Sequence, residues 1–348
     1  MAQNRQLLIQ NQDGGWDFIY DPSSSVAEYK RPLSDTTNSS FPNQFGLHAL
    51  AMIDAYSVTK TANNYFSAKR TADALMSKTI TRSARVYATD VEFLAKAEVV
   101  MGFEHYRTQA LAGLEAEREY CAAMHILANV NPSEAQIAAI PTPWPELSDA
   151  QRVAALRARL VAYGRNAGLR AFDFNSRIKA ALLLGYVQYA LEIARVVAQD
   201  VEQIEISGNY YLLGLANTIS ALIPFKATEV IFEDVIEGAY GKLSVQQQDD
   251  GLFAGNLQDT AFIVEALTGV EAVQPLKKLV ERLLQDQLPS GGYNYGGIEF
   301  VEAQSELLSA LSRVWTEYSP RSVAAESKSF RNKLRVSRFE ETIAMPFI

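Results

Sequence analysis

Histidine and cysteine are scarce in this chain, at three and one, so proton chemistry falls mainly to carboxylates and tyrosines. Four residues stand out by type and placement: His48, Asp90, Asp259 and Tyr295. A carboxylate or imidazole with a shifted pKa serves as a general base, and a tyrosine as a proton donor. Around them Asn43, Tyr210, Tyr211, Tyr293, Glu302 and Trp16 offer amide, phenol, carboxylate and indole groups, a set that can bind and stack on a sugar or an isoprenoid. Each falls in the first turn of a helical pattern or in the loop leading to one. Plainer uses exist for most of them. Asp90 and Asp259 suit the positive end of a helix dipole, Asn43 after Pro42 suits a cap, His48 between Leu47 and Leu50 suits a core, and Trp16 suits a packed joint.

Metal and thiol chemistry fit poorly. Cys121 is the only cysteine, so the chain can form no internal disulfide and no thiolate metal cluster. Cys121 and His125 share an i,i+4 face, but Ala122, Ala123 and Met124 mark that stretch as core. No pair of histidines, or of histidine and carboxylate, has ligand spacing on one element. The sequence therefore predicts no metal and no cofactor.

Helices must position these residues. Apolar residues recur at helical spacing, as in Leu47, Leu50, Ile53 and Tyr56, and strand signals are scarce. Breakers and caps predict twelve helices, at 43–58, 63–80, 86–101, 105–129, 148–168, 175–203, 208–222, 227–243, 256–270, 272–287, 301–317 and 321–341. They pair into six hairpins with short internal turns and longer joins between hairpins. A single layer of hairpins buries its apolar faces by curling round and packing first against last. The expected fold is all-α, an α/α toroid of the (α/α)6 type, in one domain spanning 1–348. Residues 1–42 form an entry segment, 43–320 the hairpins, and 321–348 the last outer helix and tail. If the first member of each hairpin is inner, the inner helices begin near Asn43, Val86, Ser148, Gly208, Asn256 and Val301. Their N-termini then meet at the loop-rich rim, where function usually lives. Their dipoles favour an anion or a developing oxyanion there.

A spacing repeats within the chain. Gln10–Trp16 (QNQDGGW), Gln247–Phe253 (QQDDGLF) and Gln287–Tyr293 (QLPSGGY) all read Gln-x-x-x-Gly-x-aromatic, and recurrence of this kind signals repeated structural units. The glycine permits positive φ at a sharp exit, the glutamine can bond loose helix-end groups, and the ring seals the joint. This pattern resembles the Gln–Trp repeats of the terpenoid cyclase and protein prenyltransferase superfamily, and DGLFAGNLQDTAFIVEAL over 250–267 resembles its Asp-Thr-Ala helix start. The likeness is good over the last hundred residues, moderate over the first eighty and limited to helix alternation between. Pectate-lyase-like and other carbohydrate-active toroids share similar loops. The resemblance implies a toroid and leaves the chemistry open, because one fold hosts many functions. The Asp-x-Asp-Asp acid motif of the cyclases is missing, as are the prenyltransferase Asp-x-Cys ligands.

A net charge of −8 without a basic cluster excludes a nucleic-acid ligand. No apolar run is long enough to span a membrane. The opening residues lack the apolar core of a signal peptide, which makes a cytoplasmic location the default expectation. Together these readings favour an enzyme acting on a carbohydrate, including an acidic polysaccharide or oligosaccharide, by lyase or hydrolase chemistry. An isoprenoid cyclase or transferase is the alternative enzyme, and a non-catalytic binding or scaffold toroid the alternative to catalysis. The lining of the centre separates them: apolar and aromatic for isoprenoids, polar and acidic for glycans, filled for a scaffold.

Overall fold

The computed structural model describes residues 2–17, 19–20, 40, 43–77, 87–128, 132–140, 148–206, 208–253, 257–295 and 298–318. Fourteen α-helices occur among them. They are α1 (Ala2–Leu8), α2 (Gly46–Thr59), α3 (Ala62–Met76), α4 (Ala88–Met101), α5 (Glu104–Ala128), α6 (Glu134–Ala138) and α7 (Asp149–Arg165). The rest are α8 (Ala167–Leu184), α9 (Val187–Asp200), α10 (Tyr211–Leu222), α11 (Val230–Ser244), α12 (Leu257–Gly269), α13 (Val273–Asp286) and α14 (Val301–Tyr318). The only sheet among these residues joins three strands of two or three residues, β1 (Ile19–Tyr20), β2 (Asn294–Tyr295) and β3 (Ile298–Phe300), in the order β1-β3-β2.

Six helices close a ring. α2 packs on α4, α4 on α8, α8 on α10, α10 on α12, α12 on α14, and α14 returns to α2. A helix in such a ring has neighbours on most sides and needs apolar residues around most of its circumference. In α2 every residue from Gly46 to Ala55 is buried. The outer helices show one apolar stripe instead: α13 buries Leu276, Leu279 and Leu283 and leaves Lys277 and Glu281 in solvent. α3, α5, α9, α11 and α13 each pack outside the inner helix that precedes them. The protein is an α/α toroid.

Three details differ from the sequence reading. The helix expected at 175–203 is two helices, because Gly185 adopts a left-handed φ of 89°. The Tyr186 amide there reaches back to the Ala181 carbonyl at 2.8 Å and the Gly185 amide to Leu182 at 3.1 Å, closing the end of α8. In consequence the third inner helix is α8, beginning at Ala167, and the stretch expected at 148–168 is α7, which packs on α5 and α8 outside the ring. The helix expected at 321–341 lies outside the described residues. The outer place between α14 and α2 is occupied from the N-terminal segment, where α1 touches α14, α2 and α3.

The repeat explains why α1 belongs to the outer set. Gln10, Gln247 and Gln287 follow α1, α11 and α13, and each donates its side-chain amide to the carbonyl of the glycine four residues on, at 3.0, 3.0 and 3.1 Å. Those glycines, Gly14, Gly251 and Gly291, share a φ of 90–91°. Each aromatic partner is buried: Trp16, Phe253 and Tyr293. Gln10 also reaches the Ser67 carbonyl on α3, and Gln247 the Pro275 carbonyl on α13, so each loop is tied to the next outer helix. Five turns of two to seven residues join an inner helix to the next outer one, and the longer connections gather at the inner-helix N-termini.

Candidate functional site

Close backbone approach brings the inner N-termini together. A Cβ on Gly46 would lie 2.4 Å from the Cα of Asp90, and one on Gly214 would lie 2.5 Å from the Cα of Gly168. Glycine at these points lets α2 meet α4, and α8 meet α10, at distances no side chain allows.

The first turns of α14, α12 and α2 form one polar cluster. Glu302 and Glu306 stand one turn apart on α14, on the same face by helical geometry. Gln258 of α12 donates its amide to Glu306 Oε1 at 3.1 Å, while Glu306 Oε2 has no hydrogen-bond partner. From α2, the buried His48 meets Ser305 through Nδ1 and the Gln44 Oε1 through Nε2, the latter at 2.5 Å. The Gln44 Nε2 is buried without a hydrogen-bond partner of normal geometry. It lies beside Glu302 and favours its carboxylate. Trp16 stacks on His48 at 5.0 Å and donates its indole N–H to the Gln6 carbonyl at 2.9 Å.

Burial sets the protonation of this cluster. It pushes the Glu302 carboxyl up to about 7, with the Gln44 amide offsetting part of the effect. Burial also pushes Glu306 well above the usual range, and the charges of Glu302, Asp259 and Glu265 add to it. Two carboxylates in poor solvent resist carrying two charges, so they titrate as a pair. Burial drives His48 the other way, to about 3, so its ring is neutral.

Deeper in the ring, ion pairs cross the lumen. Glu265 of α12 bonds Lys179 of α8 at 2.5 Å and also Arg313 of α14; Arg313 lies 3.7 Å from Glu92 of α4. Asp54 of α2 pairs with Lys96 of α4 and accepts from the Ser309 hydroxyl at 2.5 Å. Burial alone would raise Glu265, but Arg313 and Lys179 hold it at about 2. Burial raises Glu92 against the pull of Lys179, Arg313 and Lys96. Beside this layer Phe172 of α8 meets Phe262 of α12 edge-on at 5.3 Å, across the ring.

The residues singled out by sequence fall into separate places. His48, Trp16 and Glu302 sit at the α2–α14 cluster, and Asp259 is near enough to raise Glu306. Asp90 holds the α2–α4 joint, accepting from the Gly46 amide at 2.8 Å and from the Tyr87 amide at 3.3 Å. Tyr293 is the buried ring of the third repeat; burial, with Asp286 nearby, pushes its phenol up to about 12. Its carbonyl accepts from Gln304 at 3.4 Å. Tyr295 lies in β2 opposite Ile298, and the placement of its side chain is outside the described residues. Tyr210 is exposed at the start of α10, Tyr211 packs on the core, and Asn43 is half-buried two residues before Phe45. Cys121 and His125 lie in α5, but their side chains are outside what is described. Among the described residues no group of three histidine, cysteine, aspartate or glutamate side chains is arranged to hold a metal.

Glu306 and Ser305 complete the cluster; the sequence offers Glu306 as a polar residue near the start of the sixth inner helix, and Ser305 is not among its candidates. Their signal is the run VEAQSELLSAL, in which two glutamates four apart interrupt an apolar helix.

No family model matches the chain, and no curated protein matches it. Among solved structures, a polysaccharide lyase aligns at 12% identity and a TM-score of 0.45, covering 81% of this chain and 92% of its own. An α-1,6-mannanase from Salegentibacter aligns at 9% identity and a TM-score of 0.42, covering 89% and 96%. These likenesses are distant, and the chemistry has to be argued from the cluster itself.

Proposed function

We propose that this toroid is a glycan-cleaving enzyme, a hydrolase whose acid–base group is the Glu302–Glu306 pair. The observation that carries the reading is this buried carboxyl pair at the inner-helix rim, where burial pushes Glu302 up to about 7. Hydrolysis of a glycosidic bond needs a carboxylic acid to protonate the departing oxygen and a second carboxylate to activate water or to attack. A carboxyl that keeps its proton near neutral pH meets the first requirement. Asp259 beside the pair, whose charge raises Glu306, meets the second. Tyr210, exposed at the same rim, offers a ring on which a sugar can stack.

Hydrolysis is favoured over elimination by the charges at hand. β-Elimination from an acidic sugar needs a cation or metal to neutralise the sugar carboxylate. Arg170 is the one lysine or arginine in the first two turns of the six inner helices, and it is engaged by Asp200 at 2.7 Å. An isoprenoid ligand fits less well, since the lumen is crossed by charged side chains rather than lined by aromatic carbons. The second reading is a non-catalytic binding toroid, favoured by the ion pairs and by the Phe172–Phe262 contact that occupy the centre.

The test is reducing-sugar release from neutral glycans, with uronans assayed in parallel for the absorbance of unsaturated ends. Glu302→Gln and Glu306→Gln should each lower kcat by about 10²–10⁴, the range for removal of a general acid or base. Activity should fall as pH rises through about 7, where Glu302 loses its proton. Glycan binding without turnover, unchanged in both variants, would favour the binding toroid instead.

A further inference from the structure

From the contacts between α2 and α14 we infer that His48, Gln44 and Ser305 form a positioning relay that fixes which end of the Gln44 amide faces Glu302. The inference rests on the acid role proposed for Glu302. Its geometry stands without that role.

A glutamine amide has a donor end and an acceptor end of nearly equal shape. In the buried space beside Glu302, the choice between them changes the local potential by the difference between an N–H and a C=O dipole. His48 makes the choice. Its ring is neutral, so one nitrogen carries a proton and the other does not. The Nε2 partner is Gln44 Oε1, an acceptor, so Nε2 carries the proton and Nδ1 accepts from the Ser305 hydroxyl. With Oε1 held by the ring, the Gln44 Nε2 is the end left to act on Glu302, and it has no hydrogen-bond partner of normal geometry. Trp16 covers the ring face, which keeps water from supplying a substitute donor. All three relay residues are buried. The arrangement favours an ionised Glu302, lowering its proton affinity from the value burial alone would set.

The groups that face Glu302 and Glu306 from neighbouring elements are Gln44, just before α2, and Gln258, Asp259 and Glu265 of α12. Of these, Gln44 alone is oriented by a histidine. Losing the relay therefore removes a stabilising dipole and leaves the acidic neighbours in place.

Two measurements on the full-length protein test this. With ¹⁵N-labelled histidine, His48 should show the Nε2–H neutral tautomer at pH 8. With ¹³C-carboxyl-labelled glutamate, Glu302 (assigned by its disappearance in Glu302→Gln) should titrate at about 7. In His48→Leu that midpoint should move up by half a unit or more. It should return toward the wild-type value in His48→Gln, whose side-chain amide can still donate to Gln44. Ser305→Ala, which removes a single oxygen, is the second variant should His48→Leu not fold, and it should shift the midpoint the same way. The Nδ1–H tautomer, or a Glu302 midpoint unmoved in the variants that fold, would overturn the relay. If the titration shifts as expected in a protein that cleaves no glycan, the relay stands and the hydrolase reading fails. In an active enzyme, the alkaline limb of the kcat/KM profile should move with the carboxyl midpoint.

Discussion

At the scale of single residues, burial decides ionisation, and the signs can be followed through to stability. Glu302 in the folded protein holds its proton to about 7, while the unfolded chain releases it near 4.5. Between those values the unfolded state loses protons first, so rising pH costs stability, and the cost is complete above 7. Glu302→Gln removes that cost. The variant should gain on the wild type from pH 4.5 upward, by on the order of 3 kcal/mol at pH 8, at 1.4 kcal/mol per pKa unit. Urea melts at pH 4 and pH 8 check it. His48 acts in the opposite direction. Its folded value near 3 lies below the ordinary 6.5, so stability is lost as pH falls from 6.5 toward 3. His48→Gln should remove that acid-side loss, which the same melts extended to pH 4–6 would show. A third residue-scale prediction concerns the pair of Arg177 and Glu117, joined at 2.9 Å with both side chains 1% exposed. Glu117→Ala removes the carboxylate that faces a buried guanidinium and should cost about 3–5 kcal/mol.

At the scale of elements, the inner helices depend on glycine contacts and the outer ones on the glutamine loops. Gly46→Ala would put a methyl 2.4 Å from the Asp90 backbone, so α2 and α4 must part. Overpacking of this kind costs roughly 1–3 kcal/mol. It should also disturb the rim, and the check is a lowered Tm with weakened glycan binding. Gln247→Ala leaves the Gly251 and Pro275 carbonyls without their donor and should lower stability by about 1–3 kcal/mol. It should leave the rim chemistry unchanged, since among the described residues the side-chain bonds from that loop to other elements go to the outer helix α13. A variant that lost activity while keeping its stability would contradict this division between scaffold and site.

At the scale of the whole molecule, closure is the controlling feature. α1 sits against α14, α2 and α3, and so bridges the last inner helix to the first hairpin. Removing residues 1–17 would delete α1, the Gln10 loop and Trp16 together, exposing the apolar faces they cover. The truncated chain should bind a hydrophobic dye and unfold with a shallower denaturant transition. Cooperative unfolding at an unchanged midpoint would show that closure does not depend on α1. The layered lumen has a second consequence. Ion pairs link α8, α12, α14 and α4 beneath the carboxylate pair, so a ligand at the proposed site would have to enter from the loop-rich side.

The sequence by itself determined the helical class, most helix positions and the repeat, because periodicity, breakers and the Gln-x-x-x-Gly spacing are local signals. It also pointed to the inner N-termini as the place where polar residues gather. Only the tertiary structure decided which helices are inner. Loop length led to 148–168, while packing selected 167–184, since the Gly185 turn divides a run of residues that reads as one helix. The same holds for the site. Asp90 and Glu302 look alike as acidic first-turn residues. The Asp90 oxygens take the Gly46 amide across a close helix contact and the Tyr87 amide at the start of its own helix, while Glu302 faces a loosely placed Gln44 amide. That difference comes from what lies opposite each residue in the closed ring. A partner 44 or 257 residues away, as for Gly46 with Asp90 or His48 with Ser305, leaves no trace in local spacing.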